Sequence, residues 1–560
     1  MIRCWLLIGV FLATACLAVD LEKVYSPFRS RTDLLPSKLN VTKIDKDNVT
    51  DQPLFLAPWS PGEIKASQTY LGPHIFSGHG NLIWTGFGLY ANSISNFMPF
   101  KHDNETKISF YDGNVADSGV GFGSFNLMNN KYQVVQRLGN TQGYLHDFHE
   151  FQVTGEDTAA FSTYKAVPYD LSDFDDFDGD EGWVYENLVT EVNMTNDEVV
   201  FQWHSLDHIS VGDTKVKQLM KSTGASSSVP FDYLHLNSIQ KDDDGNYLLS
   251  CRHTWSLYYI EGKSGKVLWR LGKSEGDNDW DIEDEAVFAY QHDARWVDPS
   301  YINKKEEKNV KYISLFDNSQ TGGEPENYRD YSRGMIIKLD SSDGATDDKD
   351  KKGKVTLVHE YKLPDGSGAS ASQGSTQVLS NSNVVVGWGS NPYVTEHKLD
   401  GTIVFEAVIN DKEYASYRAF KAPFEGDPQE HPAVASVYSK DDNKTTCYMS
   451  WNGATKVSKW EVHSGRNATG SKDSLLKKAD KNKEDFETVV KVDGKHDYIT
   501  VKALASNDSS LASGVTKTFE VNQIPEQKMQ DDDDDDSSAS TMKRSPLVLL
   551  SLLTITYFFL

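Results

Sequence analysis

The apolar residues of this chain occur in short runs rather than at helical spacing. From about residue 59 to residue 521, runs rich in Val, Ile, Tyr, Phe and Trp alternate with Gly, Asp and Asn turns. Examples are NLIWTGFGLY, VVFQWHSL, KYISLF, GMIIKLD and TIVFEAVI. No long stretch repeats apolar residues three and four positions apart, which is the pattern of an amphipathic helix. The pattern predicts an all-β chain.

One local arrangement recurs, in which an apolar strand meets an acid-and-glycine turn and leaves on a second strand. It occurs in YYIEGKSGKVLWRL, HKLDGTIVFEA and KWEVHSG. Repetition at the length of one blade predicts a β-propeller over residues 59–525. At roughly 40 to 80 residues per blade, six to eight blades fit. A stack of β-sandwich domains also gives short, regularly spaced strands and is the alternative.

Both ends of the chain carry targeting signals. Residues 1–18 have one basic residue, an apolar run and small residues before the cleavage site, as in a secretory signal peptide. Residues 19–58 are polar and punctuated by proline, which predicts an extended arm. An acidic and Ser-rich linker (526–545) and a hydrophobic tail (546–560) form a GPI-anchor signal with Ser538 as attachment site. We expect a lipid-anchored protein at the outer face of the plasma membrane, with a transmembrane tail as the alternative.

Seven Asn-x-Ser/Thr sequons agree with a secretory route: Asn40, Asn48, Asn104, Asn193, Asn443, Asn467 and Asn507. Two cysteines leave with the signal peptide, so Cys251 and Cys447 either form a disulfide or stay as buried thiols. The net charge of −26 argues against a nucleic-acid partner, since phosphates are bound by basic side chains.

The segment FDYLHLNSIQKDDDGNYLLSCRHTW, residues 231–255, predicts a hairpin with polar residues in unusual places. A turn about Asp243 and Asp244 puts His235 opposite Arg252, and a shift of half a residue puts His253 there instead. Two-residue periodicity places His235 and Asn237 on one face. These side chains predict an anion-binding patch, with strand-edge hydrogen bonding as the alternative for each. We expect His253 to point away from it.

Two more segments have the same character. AYQHDARWVD carries His292 and Arg295, and LHDFHEFQVTG carries His146 and His149. A histidine satisfied within the core is the alternative for His149.

The motifs HDFHEF, DYLHLNSI, SCRHTWSLYYI, QHDARW and SLFDN, in this order, resemble the arylsulfotransferase family, and most closely its fungal branch. The resemblance covers roughly residues 75–425. It implies a six-bladed propeller that moves a sulfuryl group from a phenolic sulfate ester to a phenol. The implied chemistry uses no nucleotide sulfate donor, metal or other cofactor.

The same resemblance assigns residue roles. His292 becomes the transiently sulfated nucleophile, His235 assists proton transfer, and Arg252 holds the sulfuryl oxygens. His149 is the remaining family histidine, with His146 as the alternative, and Asn237 and Arg295 are candidates for substrate binding.

Two other functions fit parts of the pattern. A non-catalytic cell-surface propeller that binds a ligand or partner has the same fold. The GKVLW turns also suggest a quinone-dependent dehydrogenase, but the chain has no adjacent cysteine pair of the kind that such enzymes often carry.

Overall fold

The computed structural model describes residues 27–59, 71–87, 89, 93–102, 105–116, 118–155, 157–272, 278–319, 328–341, 352–363, 368–409, 414–465, 467 and 472–520. These ranges are all-β, without an α-helix. Short 3-10 helices occur at Ser205–Asp207, Val211–Asp213, Lys217–Lys221, Asp284–Ala286 and Pro299–Ile302. No helix in these ranges has the length and hydrophobicity needed to cross a membrane. The predicted signal peptide, the linker with Ser538 and the hydrophobic tail lie outside them.

Six antiparallel sheets follow one another along the chain, the fifth with one parallel edge strand. In spatial order, the first sheet consists of β30 (Phe420–Lys421), β2 (Leu54–Leu56), β4 (His74–Phe76) and β5 (Leu82–Thr85). The second consists of β6 (Ser93–His102), β7 (Glu105–Val115), β8 (Gly121–Met128) and β9 (Val134–Leu138). The third consists of β12 (Phe151–Val153), β13 (Thr158–Asp170), β14 (Glu181–Asn193) and β15 (Val199–His204).

The fourth sheet consists of β16 (Leu236–Lys241), β17 (Tyr247–Cys251), β18 (Ser256–Ile260) and β19 (Val267–Gly272). The fifth consists of β20 (Trp280–Ile282), β24 (Gly353–Tyr361), β23 (Arg333–Asp340), β22 (Val310–Asp317) and β21 (His292–Trp296). The sixth consists of β1 (Leu39–Ile44), β28 (Ile403–Ile409), β27 (Tyr393–His397), β26 (Val384–Gly387) and β25 (Ser375–Val378). Two short pairs complete this part: β3 (Pro58–Trp59) with β29 (Ala415–Ser416), and β10 (Asn140–Thr141) with β11 (Tyr144–Leu145).

The six sheets form a closed ring. Contacts join β2 to β6, β8 to β11 and β11 to β13, β12 and β13 to β16, β16 to β21, β22 to β25, and β26 back to β30. A separate hydrophobic cluster lies between each sheet and the next. Leu248 and Leu257 of the fourth sheet, for example, pack with Leu315 and Met335 of the fifth. Sheets buried on both faces explain why these strands read as continuous apolar runs.

Both ends of the domain take part in closing the ring. β2 pairs with β30 in the first sheet, and β1 pairs with β28 at the edge of the sixth. The described part of the predicted arm, residues 27–58, therefore differs from a free extended segment. Its short apolar runs LNVTKI and LFL complete sheets that the later chain leaves open.

Residues 433–520 form two further sheets beside the ring. One consists of β35 (Thr488–Asp493), β32 (Lys444–Ser450), β31 (Ala433–Ser439) and β38 (Phe519–Glu520), and the other of β34 (Lys472–Asp480), β33 (Lys459–Gly465), β36 (Tyr498–Leu504) and β37 (Ser510–Lys517). The two share a core that includes Met449, Trp460 and Val501. This part of the predicted 59–525 domain thus pairs within itself, because its strands complete each other's edges and core.

The cysteines and sequons have definite surroundings. Cys251 and Cys447 are free thiols buried in separate clusters, in the fourth ring sheet and in the C-terminal pair of sheets, so the disulfide alternative is wrong. Four sequon asparagines are exposed, namely Asn48, Asn443, Asn467 and Asn507. Asn40 and Asn193 are partly buried, and Asn104 lies outside the described residues.

Candidate active site

Three histidines stand at the beginnings of neighbouring inner strands. His149 lies two residues before β12, His235 lies one residue before β16, and His292 is the first residue of β21. Since β12 contacts β16 and β16 contacts β21, these strand beginnings gather at one end of the ring. Tertiary structure therefore collects imidazoles from three sheets.

The imidazoles pack against each other. The ring centroids of His149 and His235 are 4.7 Å apart, and those of His235 and His253 are also 4.7 Å apart. His292 is buried nearby, where desolvation, followed by the charges of Arg252, His235 and His149, lowers the pKa of its ring. Four histidines and one arginine thus form a single cluster.

The predicted hairpin pairing occurs, through a register shift. Near the turn Lys241 pairs with Tyr247, a register that would put His235 opposite His253. Between Leu236 and Ser238 the register shifts by one residue, so that Leu236 pairs with Cys251. The amide of Arg252 then donates to the carbonyl of His235 at 3.0 Å. The bulge at Asn237 restores the His235–Arg252 pairing.

The expectation that His253 points away is wrong. β17 ends at Cys251, so strand alternation no longer governs the following residues. The amide of His253 donates to the carbonyl of Leu234 at 3.0 Å, and its ring lies beside that of His235. Both rings belong to residues that are 6 % exposed.

Two aspartates fix the imidazoles. The Nδ1 of His149 donates to Asp147 at 2.6 Å, and the Nδ1 of His235 donates to Asp232 at 2.5 Å. Asp147 also accepts hydrogen bonds from the Ser162 hydroxyl and the Gly121 amide. With the proton on Nδ1, neutral His149 and His235 carry their lone pairs on Nε2.

Asn318 sets the tautomer of His292. Its amide nitrogen donates to the carbonyls of Ser370 and Gln373, each at 2.9 Å, so its Oδ1 is an acceptor. This Oδ1 accepts from the Nδ1 of His292 at 2.7 Å. The Nε2 of His292 therefore carries a lone pair, which accepts from the Gln373 amide at 3.2 Å. This nitrogen has the electronic state that a nucleophile needs.

Arg252 is half-buried and differs from four other buried or half-buried arginines. Arg270, Arg295, Arg333 and Arg418 all form ion pairs with carboxylates. Among the described residues, Arg252 has no carboxylate within ion-pair distance. It donates to the carbonyl of Ala371 at 2.9 Å and lies 4.9 Å from the Tyr290 ring centroid. Its Nε is buried without a partner in the described chain. A desolvated cation in this state favours an anionic ligand.

Burial determines the protonation of the cluster. It lowers the pKa of His253 to about 3 and holds the pKa of His235 and His292 well below their usual value. The pKa of Arg252 falls to about 10, again because of burial. The three imidazoles are therefore neutral near pH 7, and the arginine keeps its charge.

Arg295 occupies a different place from the one predicted. It bonds Asp293 and Glu150, and Glu150 also pairs with Arg418. Glu150, Asp293 and Arg295 line a cavity of about 370 Å³ with Gln240 and Gln377, towards the far ends of β16 and β25. The N–H groups of Arg295 are bonded within this network, so this side chain is not free to bind substrate at the histidine cluster.

Asn237 and His146 have mainly structural contacts. Asn237 donates to the carbonyl of Gln291 at 2.7 Å, which ties the fourth sheet to the fifth, and its Oδ1 has no partner in the described chain. His146 bonds Thr141 and packs against Phe161 with ring centroids 3.9 Å apart. His149, rather than His146, joins the cluster.

One group of side chains meets the distance requirement for a metal site in the described ranges. The candidate ligand atoms of Asp232, His235 and His253 lie within 4.8 Å of one another. However, the Asp232 carboxylate already accepts the Nδ1 proton of His235, and an incoming cation would have to break that bond. The arrangement suits proton transfer better than metal binding.

Several site residues escaped the sequence reasoning, namely Asp147, Asp232, Asn318 and Tyr290, and His253 was expected to point away from the site. A usable signal was present for two of them, because DFH and DYLH place an aspartate two or three positions before a cluster histidine. Tyr290 and His235 both have positive φ, 55° in each case. Such backbone is costly for side chains of this size and is concentrated at functional sites.

A family comparison agrees with this geometry. The sequence model described as "Arylsulfotransferase (ASST)" matches residues 99–410, which contain all the cluster residues. The chain belongs to the arylsulfotransferase family. Membership indicates an enzyme of the sulfotransferase type that acts on small aryl substrates. No curated protein matches the chain.

Solved structures are similar to the arylsulfotransferase chain at low identity. A protein of unknown function from Bacteroides caccae is 12 % identical with a TM-score of 0.35, over 66 % of this chain and 98 % of its own. Hsv2 from Kluyveromyces lactis is 10 % identical with a TM-score of 0.24, over 52 % and 80 %. Hydrazine synthase from Kuenenia stuttgartiensis is 11 % identical with a TM-score of 0.26, over 62 % and 86 %.

Proposed function

We propose that the ring is a six-bladed propeller that transfers a sulfuryl group from a phenolic sulfate ester to a phenolic acceptor. His292 carries the group between the two substrates. The sequence-based roles of His235, Arg252 and His149 stay as proposed, Asn237 becomes a positioning residue through its bond to Gln291, and Arg295 leaves the site.

Arg252 is the observation that carries this proposal. Among the described residues, this guanidinium has no carboxylate partner and its Nε has no hydrogen-bond partner. Because it stands beside four imidazoles, it is suited to receive an anion's oxygens. Sulfuryl transfer develops charge on such oxygens, and fixed donors in a dry site stabilise it strongly. Tyr290 and Trp255, whose rings meet edge to face at 5.0 Å, stand next to Arg252 as a surface for the aryl group.

The first step forms a bond between the Nε2 of His292 and sulfur and breaks the bond between sulfur and the aryl oxygen. The lone pair leaves its hydrogen bond to the Gln373 amide to attack. His235, which is neutral in the free enzyme near pH 7, takes up a proton as the anionic ester binds and gives this proton to the leaving oxygen. Burial lowers the pKa of His235, so this protonated form depends on the negative charges of Asp232 and the bound sulfate ester.

The second step returns the group. The oxygen of the acceptor phenol attacks sulfur, the bond from sulfur to Nε2 breaks, and the phenolic proton passes to a base of the cluster. Splitting the transfer in this way predicts ping-pong kinetics.

We also propose that the chain reaches the outer face of the plasma membrane on a GPI anchor at Ser538. The terminal segments support this route, and the exposed asparagines at 48, 443, 467 and 507 are positioned to carry glycans.

A chromogenic aryl sulfate tests the enzymatic proposal. Purified protein without its tail should release phenol continuously only when a phenol acceptor is present, and His292→Ala should abolish release. His146→Gln, which changes a buried histidine outside the cluster, is the matched control and should stay active. Absence of turnover across a broad panel of donors would contradict the proposal.

A further inference from the structure

Asp232 holds two imidazoles with two different groups. Its carboxylate accepts from the Nδ1 of His235 at 2.5 Å, and its main-chain carbonyl accepts from the Nδ1 of His253 at 2.6 Å. A carbonyl oxygen only accepts, so neutral His253 has its proton on Nδ1 and its lone pair on Nε2. One residue thus fixes both tautomers.

The two partners make the rings chemically unequal. A carboxylate stabilises an imidazolium directly, whereas a neutral carbonyl orients the ring without adding a charge. His235 is therefore the ring that holds a proton more readily, and neutral His253 keeps the lone pair of its Nε2 available to take a proton and pass it on to His235. Other charged or titratable groups around them are His149, His292, Arg252 and Asp147.

Both rings are less enclosed than those of the other two cluster histidines. His235 and His253 belong to residues that are 6 % exposed, against 2 % for His149 and 1 % for His292. Among the described residues, the Nε2 of His253 has no hydrogen-bond partner, in contrast to the Nε2 of His292.

We propose that His253 is the base that takes the proton of the acceptor phenol. This inference rests on the proposed sulfuryl transfer. It assigns proton donation in the first half-reaction to His235 and proton acceptance in the second to His253. As the acceptor oxygen bonds to sulfur and the bond from sulfur to His292 breaks, the phenolic proton moves to the Nε2 of His253. The proton then passes to His235, which lost one in the first half-reaction, so the cycle closes without net gain or loss.

The two half-reactions separate the roles. In the first stage, enzyme and a nitrophenyl sulfate are mixed without acceptor, and the burst of nitrophenol reports sulfation of His292. In the second stage, phenols of graded acidity are added, and loss of the sulfated enzyme is followed. His253→Asn keeps a donor near the Nδ1 position but offers no base at Nε2.

We expect His253→Asn to slow the second stage by about 100-fold with a weakly acidic phenol, a typical contribution of a general base. The burst should slow by less than about threefold, and phenols already ionised at the assay pH should restore the second stage. His235→Asn should instead slow the burst. His253→Gln gives a second readout if His253→Asn does not fold.

Three results would overturn the inference. A second stage of normal rate in both His253 variants removes the proposed base. Equal slowing with acidic and weakly acidic phenols assigns His253 a structural role. Absence of any burst in the unchanged protein rejects the sulfuryl-transfer proposal itself, and this inference with it.

Discussion

His235 and Arg252 lie directly opposite each other where the β16–β17 hairpin ends, joined by a 3.0 Å bond from the Arg252 amide to the His235 carbonyl. The pairing brings together an imidazole and a guanidinium that has no carboxylate partner among the described residues. It depends on the one-residue shift between Leu236 and Ser238, without which His253 would occupy the position of Arg252.

Replacement of Arg252 should weaken the binding of the aryl sulfate without lowering the stability of the fold. We expect Arg252→Met to raise KM for an aryl sulfate by about 10- to 100-fold, because hydrogen bonds to charged groups contribute about 1.5–3 kcal/mol. The free energy of unfolding should stay equal or rise, since the variant removes a desolvated charge that has no carboxylate partner in the described part of the chain. Initial rates and urea titration measure the two quantities.

Arg333 supplies the matched control. It is buried and bonds Asp317 at 3.0 Å and Glu360 at 2.8 Å. Arg333→Met should lower the free energy of unfolding by about 3–5 kcal/mol, the usual cost of breaking a buried ion pair. Equal destabilisation by both variants would contradict the assignment of Arg252 as an anion receptor.

Asn318 should act on catalysis through His292. Asn318→Leu removes the acceptor on Nδ1, frees the imidazole to adopt the other tautomer, and should lower kcat by about 10- to 100-fold, in line with about 1–3 kcal/mol for an unsatisfied buried group. Asn318→Asp places a carboxylate there, raises the pKa of His292, and should shift the acid limb of the kcat/KM profile to higher pH. An unmoved acid limb in Asn318→Asp would argue against His292 as the titrating nucleophile.

The Glu150 network should contribute stability rather than substrate affinity. Arg295→Met leaves Glu150 and Asp293 with one fewer cation and should lower the free energy of unfolding by about 3–5 kcal/mol. KM of the remaining folded enzyme should stay within about twofold of the original. Lys46→Met, which breaks the exposed pair with Glu484, is the control and should cost less than about 1 kcal/mol. A large rise in KM for Arg295→Met would reinstate it as a substrate ligand.

Acid should destabilise the fold through histidines buried in the neutral state. Burial lowers the pKa of His74, His146 and His397 to about 4. Their contribution is present above pH ~6.5, the pKa of an unfolded histidine, and is lost as pH falls towards 4, because the unfolded chain binds the proton first. Each should add a slope of about 1.4 kcal/mol per pH unit in this window.

Denaturant titrations at pH 7, 6 and 5 measure that slope. His397→Gln should reduce the slope by the contribution of one buried histidine. His431→Gln, at an exposed position, should leave the slope unchanged. A pH-independent free energy of unfolding would contradict this prediction.

The residue pattern determined the fold class and part of the cluster. Short apolar runs predicted β-strands because residues buried on both faces of a sheet must be apolar, and KYISLF and GMIIKLD became β22 and β23. The symmetry of the DDDGN turn predicted the pairing of His235 with Arg252, but the register at the turn differs by one residue, and the bulge at Asn237 is what produces this pairing.

Only tertiary structure decided which polar residues meet. His149, His235 and His292 come from three sheets whose approach depends on packing between sheets. His253 lies in the cluster because β17 ends at Cys251, so the following residues no longer alternate between faces. Arg295 lies outside the cluster because its guanidinium bonds Glu150 and Asp293. Local periodicity describes the direction of a side chain within a strand. The partner of a buried charge is chosen across the ring, where the free energy of an ion depends on every neighbour.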